Sequence, residues 1–114
     1  MSKDPLLYII SISTNIDRIF KAIARAENVF FEDIDIQNAV YKYLENIGEE
    51  AGKVPEAFRK KYPDIDWQGM KNLRNFIIHQ YDGIDPNEIW KIIQNDLTKD
   101  NIVIKELLKN LGII

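Results

Sequence analysis

The run Leu73-Arg74-Asn75-Phe76-Ile77-Ile78-His79-Gln80-Tyr81 holds the one histidine of the chain, five residues after an arginine and two before a tyrosine. Arginine presents a planar fork of donors that matches phosphate oxygens, and it stays charged at any working pH. Histidine takes and returns protons near neutrality, its unperturbed pKa being roughly 6.5. Together these groups supply what phosphodiester chemistry needs in the absence of a metal: charge stabilisation on phosphorus and a proton carrier at oxygen. Spacing alone leaves an ordinary reading open, in which His79 is a surface or capping histidine and Arg74 a salt-bridge residue for Glu49 or Glu50.

The segment that carries them reads as an amphipathic helix, turning about 100° per residue. With Arg74 at zero, Met70, Leu73, Phe76 and Ile77 fall between about 200° and about 320°, an apolar arc for the core. Asn75 at about 100° and His79 at about 140° lie outside that arc, and so does Tyr81, which falls about 20° short of Arg74. Trp67 at about 20° and Ile78 at about 40° share the polar face. They make it an apolar surface of the kind a partner covers. Arg74 and His79 stand too far apart around one helix to grip one phosphate. A two-fold homodimer with motif helices facing each other sets both residues around one cleft. Asn75, one turn before His79, is placed to orient the imidazole or meet substrate. Glu49 is a candidate for orienting Arg74.

The elements around this helix are also expected to be helical, giving an all-α, up-and-down bundle of five to six helices. Asp4-Pro5 caps a first helix to about Ala26, with Leu6, Ile9, Ile16, Ile19, Phe20 and Ile23 at helical spacing. Phe30 to Asp35 reads as a connector with Asp35 as cap. The second helix follows, with an apolar stripe of Ile36, Val40, Tyr43, Leu44, Ile47 and Ala51; Gly48 marks close helix packing. A short third helix covers Glu56 to Lys61 and is closed by Tyr62-Pro63. Asp66 caps the motif helix, Trp67 to about Tyr81, and Asp82-Gly83 is its exit. Asp85-Pro86-Asn87-Glu88 opens a fifth helix, and a separate last helix runs from Asn101 to Leu111 and stops at Gly112. Trp67 and Trp90 read as packing residues.

Composition excludes several classes. The 114 residues make one domain, 1–114, with 29% charged and 46% hydrophobic side chains, an ordinary globular balance. No cysteine is present and only one histidine, which leaves no credible zinc site and fits a reducing cytoplasm. No Walker or Rossmann glycine pattern appears, so no cofactor is expected. The apolar run Leu6 to Ile12 is short for a signal peptide and far too short to cross a membrane, so no membrane partner is expected. The net charge of −3 counts against a general nucleic-acid binder. Lys53, Arg59, Lys60, Lys61, Lys71 and Arg74 cluster in sequence, either as a basic rim or as a solvated face.

Arg-x-x-x-x-His-x-Tyr, followed by Asp82, Asp85 and Trp90, resembles the signature of the HEPN superfamily. Within it the chain is most similar to HepT ribonuclease toxins, which pair with a minimal nucleotidyltransferase antitoxin, MntA. Tyr43-Leu44-Glu45-Asn46-Ile47-Gly48-Glu49-Glu50-Ala51 resembles a segment of that family's second helix. Pro63-Asp64-Ile65-Asp66-Trp67 resembles the lead-in to its motif helix, and Trp90-Lys91-Ile92-Ile93-Gln94-Asn95-Asp96-Leu97 its following helix. The landmarks cover about residues 36 to 97. The resemblance implies a homodimeric, metal-independent endoribonuclease toxin of a type VII-like pair, acting on RNA with Arg74 and His79 as catalytic residues. It also implies that the partner nucleotidyltransferase silences the toxin by transferring AMP to Tyr81. Two other readings stay open: a non-catalytic nucleotide- or substrate-binding companion of the nucleotidyltransferase, and a plain helical interaction module whose motif serves dimer packing.

Overall fold

Asp4 starts the first helix through its side chain, which accepts from the Leu6 N–H at 3.0 Å, with Pro5 supplying a first-turn residue that needs no donor. The computed structural model describes residues 4–24, 27–80 and 83–114, and every regular element among them is helical. They are α1 (Pro5–Ile23), α2 (Glu27–Glu32), α3 (Ile34–Lys53), α4 (Glu56–Lys61), α5 (Trp67–His79), α6 (Pro86–Ile92), a π segment (Ile93–Leu97) and α7 (Thr98–Asn110). The all-α expectation holds. Tyr81 and Asp82, the expected modification site and the expected exit residue, lie outside the described residues.

α3 is the central rod, packed against α1 on one side and α5 on the other. Ile9, Ile12, Ile16 and Ile19 of α1 meet Val40, Leu44, Ile47 and Ala51 of α3, all buried. α7 returns along α1 and adds Ile104 and Leu108. Polar ties fix the rods in register: Lys105 donates to Ser13 Oγ and Asp17 Oδ2, each at 2.7 Å, and Gln37 Nε2 donates to the Phe31 carbonyl at 3.2 Å.

Four expectations need correction. Phe30 to Asp35 is not a plain connector, because α2 occupies Glu27–Glu32 and buries Phe30 completely against Tyr41 and Trp90. The cap of α3 is Asp33, not Asp35; its carboxylate accepts from the Asp35 N–H at 2.9 Å and the Ile36 N–H at 3.3 Å. On that helix Tyr41 is buried and Tyr43 only half-buried, and burial with the Asp85 charge raises the Tyr41 phenol above its ordinary pKa. The expected gap between the last two helices is absent: α6, the π segment and α7 follow without a break, and Thr98 Oγ1 donates to the Ile93 carbonyl at 3.0 Å across the wide turn.

Candidate active site on the motif helix

α5 begins where expected. Asp66 accepts from the Gly69 N–H at 2.9 Å and caps the helix. Trp67, its first residue, is buried, and its indole N–H donates to the Tyr62 carbonyl at 3.0 Å. The pairing expected of Trp67 and Ile78 as an exposed apolar face is therefore corrected. The Tyr62-Pro63 turn folds over the indole, whereas Ile78 stays 40% exposed. A helical-wheel angle records no such cover from a neighbouring loop.

The core arc of α5 is narrower than its wheel. Met70 and Ile77 are buried, but Leu73 and Phe76 are half-buried and look into a groove between α5 and the α6–π run. That groove, about 290 Å³, has an apolar floor and a rim of Asp66, Glu88, Asp96 and Asp100.

On the other flank, α5 approaches α3 at Gly48. A Cβ there would collide with the Arg74 Cβ and the Met70 carbonyl oxygen, so only glycine lets the helices come this close. The close approach lays the arginine stem across α3 and brings its head to the next residue along. Arg74 Nη2 pairs with Glu49 Oε1 at 3.5 Å, and Nη1 donates to Asn75 Oδ1 at 3.2 Å. The Nε of Arg74 is buried without a hydrogen-bond partner among the described residues. The guanidinium is thus held at two of its three nitrogens, while its side chain stays 37% exposed.

Three of the sequence-selected residues, Glu49, Arg74 and Asn75, therefore sit together, in a cleft of about 210 Å³ completed by Gly48, Gly52, Lys53 and Lys71. His79 is exposed at the last turn of α5, one turn beyond Asn75, and is not among the residues lining that cleft. Within one chain the structure joins Arg74 to its two supports, and among the described residues the His79 imidazole has no hydrogen-bond or ion-pair partner. Lys53 and Lys71 belong to the cleft by geometry. In the sequence they were indistinguishable from the solvated lysines of α4. Among the described residues no three His, Cys, Asp or Glu side chains converge to hold a metal ion, and no helix is long and apolar enough to cross a membrane.

The class of protein that carries this helical bundle is given by sequence comparison. The ribonuclease HepT-like family profile matches residues 12–107, and the chain belongs to that family of ribonucleases. Among individual relatives, a candidate RNase of Methanocaldococcus jannaschii is 42% identical over 82 residues, covering 72% of this chain and 68% of the relative. A candidate ribonuclease HepT of Thermococcus cleftensis is 37% identical over 68 residues, 60% of this chain and 62% of its own. A second M. jannaschii protein, named for a gamma-glutamylcyclotransferase together with a candidate RNase, is 30% identical over 112 residues, 97% of this chain but 50% of its own length. The matched stretches thus span from half to about two thirds of these relatives. No solved structure matches the chain.

Proposed function

We propose that this chain is a metal-independent endoribonuclease acting as a homodimer in the cytoplasm, the toxin half of a type VII-like toxin–antitoxin pair. The observation that supports it most is the clamped Arg74: a guanidinium held by Glu49 and Asn75 at a cleft mouth, with an exposed imidazole one turn further along the same helix. The step is a transesterification. His79 accepts the proton of a ribose 2′-hydroxyl as that oxygen attacks phosphorus. The 5′-oxygen then leaves with a proton from an imidazolium, which two-fold pairing supplies as the second copy's His79. The products are a 2′,3′-cyclic phosphate and a 5′-hydroxyl. Arg74 stabilises the charge that grows on the pentacoordinate phosphate, and proton transfer by histidine typically contributes about 10²- to 10⁴-fold. Asn75 and Glu49 position the arginine.

Pure protein incubated with RNA in EDTA should produce cyclic-phosphate and 5′-hydroxyl ends. No cleavage, or 3′-hydroxyl and 5′-phosphate ends, would count against this chemistry. Light scattering after size exclusion should report a dimer, since neither arginine nor histidine of one copy completes the site. The resemblance to the HepT toxins further supports an MntA-like nucleotidyltransferase as partner and Tyr81 as the residue it modifies. Intact mass after co-expression with the cognate partner should show AMP increments on the wild type and none on Tyr81→Phe. Equal modification of both would place the silencing elsewhere.

A further inference from the structure

The charges lining the Arg74 cleft do not balance. Lys53, Lys71 and Arg74 face a single carboxylate, Glu49, and that carboxylate already pairs with Arg74. Lys71 makes no ion pair or hydrogen bond among the described residues, and the Lys53 ammonium reaches Glu50 only at 3.8 Å. The Lys71 stem lies against α3 at Gly52, where a Cβ would stand 3.9 Å from Lys71 Cε and 4.0 Å from its Cγ, ordinary van der Waals contact. On a chain of net charge −3 this surplus is local: Lys71 is unpaired among the described residues and Lys53 is held only by the 3.8 Å pair with Glu50, and together they call for an anion.

The position of Lys71 says which anion. Lys71, Asn75 and His79 follow one another at four-residue intervals, so they form a single ridge on α5, with about 12 Å of rise from the lysine to the histidine. A polyanion laid along that ridge meets Lys71, then Asn75 and Arg74, then His79. On the opposite flank of α5 the groove presents Asp66, Glu88, Asp96 and Asp100 with no cation in its lining, and repels the same strand. Ammonium groups on flexible stems are point charges, suited to holding a backbone phosphate without reading its base.

We propose that Lys53 and Lys71 form a subsite for the RNA phosphate adjacent to the one held by Arg74, setting the strand's register on α5. The subsite rests on the ribonuclease reading for its substrate class, but its binding can be measured without cleavage. The probe is a fluorescein-labelled single-stranded RNA oligonucleotide, titrated by anisotropy against the full-length His79→Ala protein over a salt series. Adding Lys53→Gln and Lys71→Gln should weaken binding about tenfold and flatten the slope of log K against log salt by about 0.7, the loss of one single-strand phosphate contact. Lys60→Gln with Lys61→Gln on α4, outside the cleft, should change neither. Lys53→Arg with Lys71→Arg should restore both, which a merely structural role would not require. In the otherwise wild-type enzyme the double glutamine variant should raise KM about tenfold while kcat falls far less. Unchanged affinity and slope in a double variant that melts like its parent overturns the subsite, whether or not the enzyme cuts. RNA binding that depends on the two lysines, in a protein that cuts nothing, keeps the subsite and defeats the cleavage reading instead.

Discussion

Arg74 shows how little of a functional residue's setting is written in its own letter. Its spacing from His79 marks it as a candidate, and the sequence offers Glu49 as the acid that orients it, with Glu50 beside it as an alternative ion-pair partner. What decides between Glu49 and Glu50 is the face of α3 on which each falls: Glu49 meets Arg74, whereas Glu50 turns to Lys53. The clamp is solvent-facing, so it contributes little to stability, an exposed pair being worth about 0–1 kcal/mol. Arg74→Ala keeps the Cβ that abuts Gly48, and His79→Ala touches an exposed position. Each should abolish RNA cleavage while shifting stability by no more than about 1 kcal/mol. Cleavage assays and thermal melts on the same preparations check both halves. Full activity in either variant removes that residue from the chemistry, and a large loss of melting temperature assigns it to packing instead. Glu49→Gln separates positioning from charge. Removing a negative charge should tighten RNA binding, yet freeing the guanidinium should lower kcat by roughly tenfold, since small misplacements of a catalytic group are costly. KM and kcat falling together is the signature; kcat unchanged would mean that Asn75 suffices to hold the arginine.

The helices divide into those whose ends are governed locally and those shaped by what they touch. Asp4, Asp66 and Asp85 cap their helices through their own side chains, and Gly112 stops α7 at φ 75°; each is a short-range effect readable from neighbours in the chain. α2 is different. Phe30 and Phe31 resemble a linker until Phe30 is seen buried beneath Trp90, a contact from 60 residues away. The π segment is equally hidden, because Ile89, Ile93 and Leu97 recur every fourth residue and a regular α-helix would let that stripe drift by about 40° per step. The wider turn over Ile93–Leu97 absorbs the drift and keeps all three buried. A π turn of this kind is one extra residue within an α-helix. Deleting exposed Asn95 should therefore leave a folded protein with α7 in phase, at a cost of about 1–2 kcal/mol in thermal melts. Deleting exposed Lys42 from α3 should unfold the chain by rotating Leu44, Ile47 and Ala51 out of the core. The α3–α5 crossing gives a second test: Gly48→Ala should cost about 2–3 kcal/mol through overpacking, and should depress cleavage by moving the Arg74 stem.

Across the whole molecule, α5 divides the surface by sign, and no window of sequence displays that division. Asp66, Glu88, Asp96 and Asp100 are spread over separate elements and meet only because the helix running from Pro86 to Asn110 passes the free flank of α5. The repulsion is felt most by Asp100, which is half-buried. Burial first, then the charges of Asp66 and Asp96, push its carboxyl up to about 6 from the 3.8 of a free aspartate. Glu88 adds to the negative charge at the far end of the groove, and Lys99 lies beside Asp100 along the adjoining surface, where Asp64 also faces it. The sign of the consequence follows from which state holds the proton more tightly. Between pH 3.8 and about 6 the folded chain keeps a proton on Asp100 that the unfolded chain has released, so this group's contribution is fully present below that window and is lost as pH rises through it. At neutral pH a charged Asp100 therefore weakens the fold. Because water still reaches the group, the screened effect is about 1 kcal/mol, well below the full linkage value. Asp100→Asn, close to an isostere of the protonated acid, should raise the melting temperature at pH 7. The gain should shrink as pH falls through 6 and vanish below about 4, where wild type carries the proton too. Melts of both proteins across that range decide it. A pH-independent gain would mean that the amide packs better and that charge is not the cause, and a loss at pH 7 would show that the Asp100 charge has a favourable partner, Lys99 being the nearest candidate in the groove's continuation.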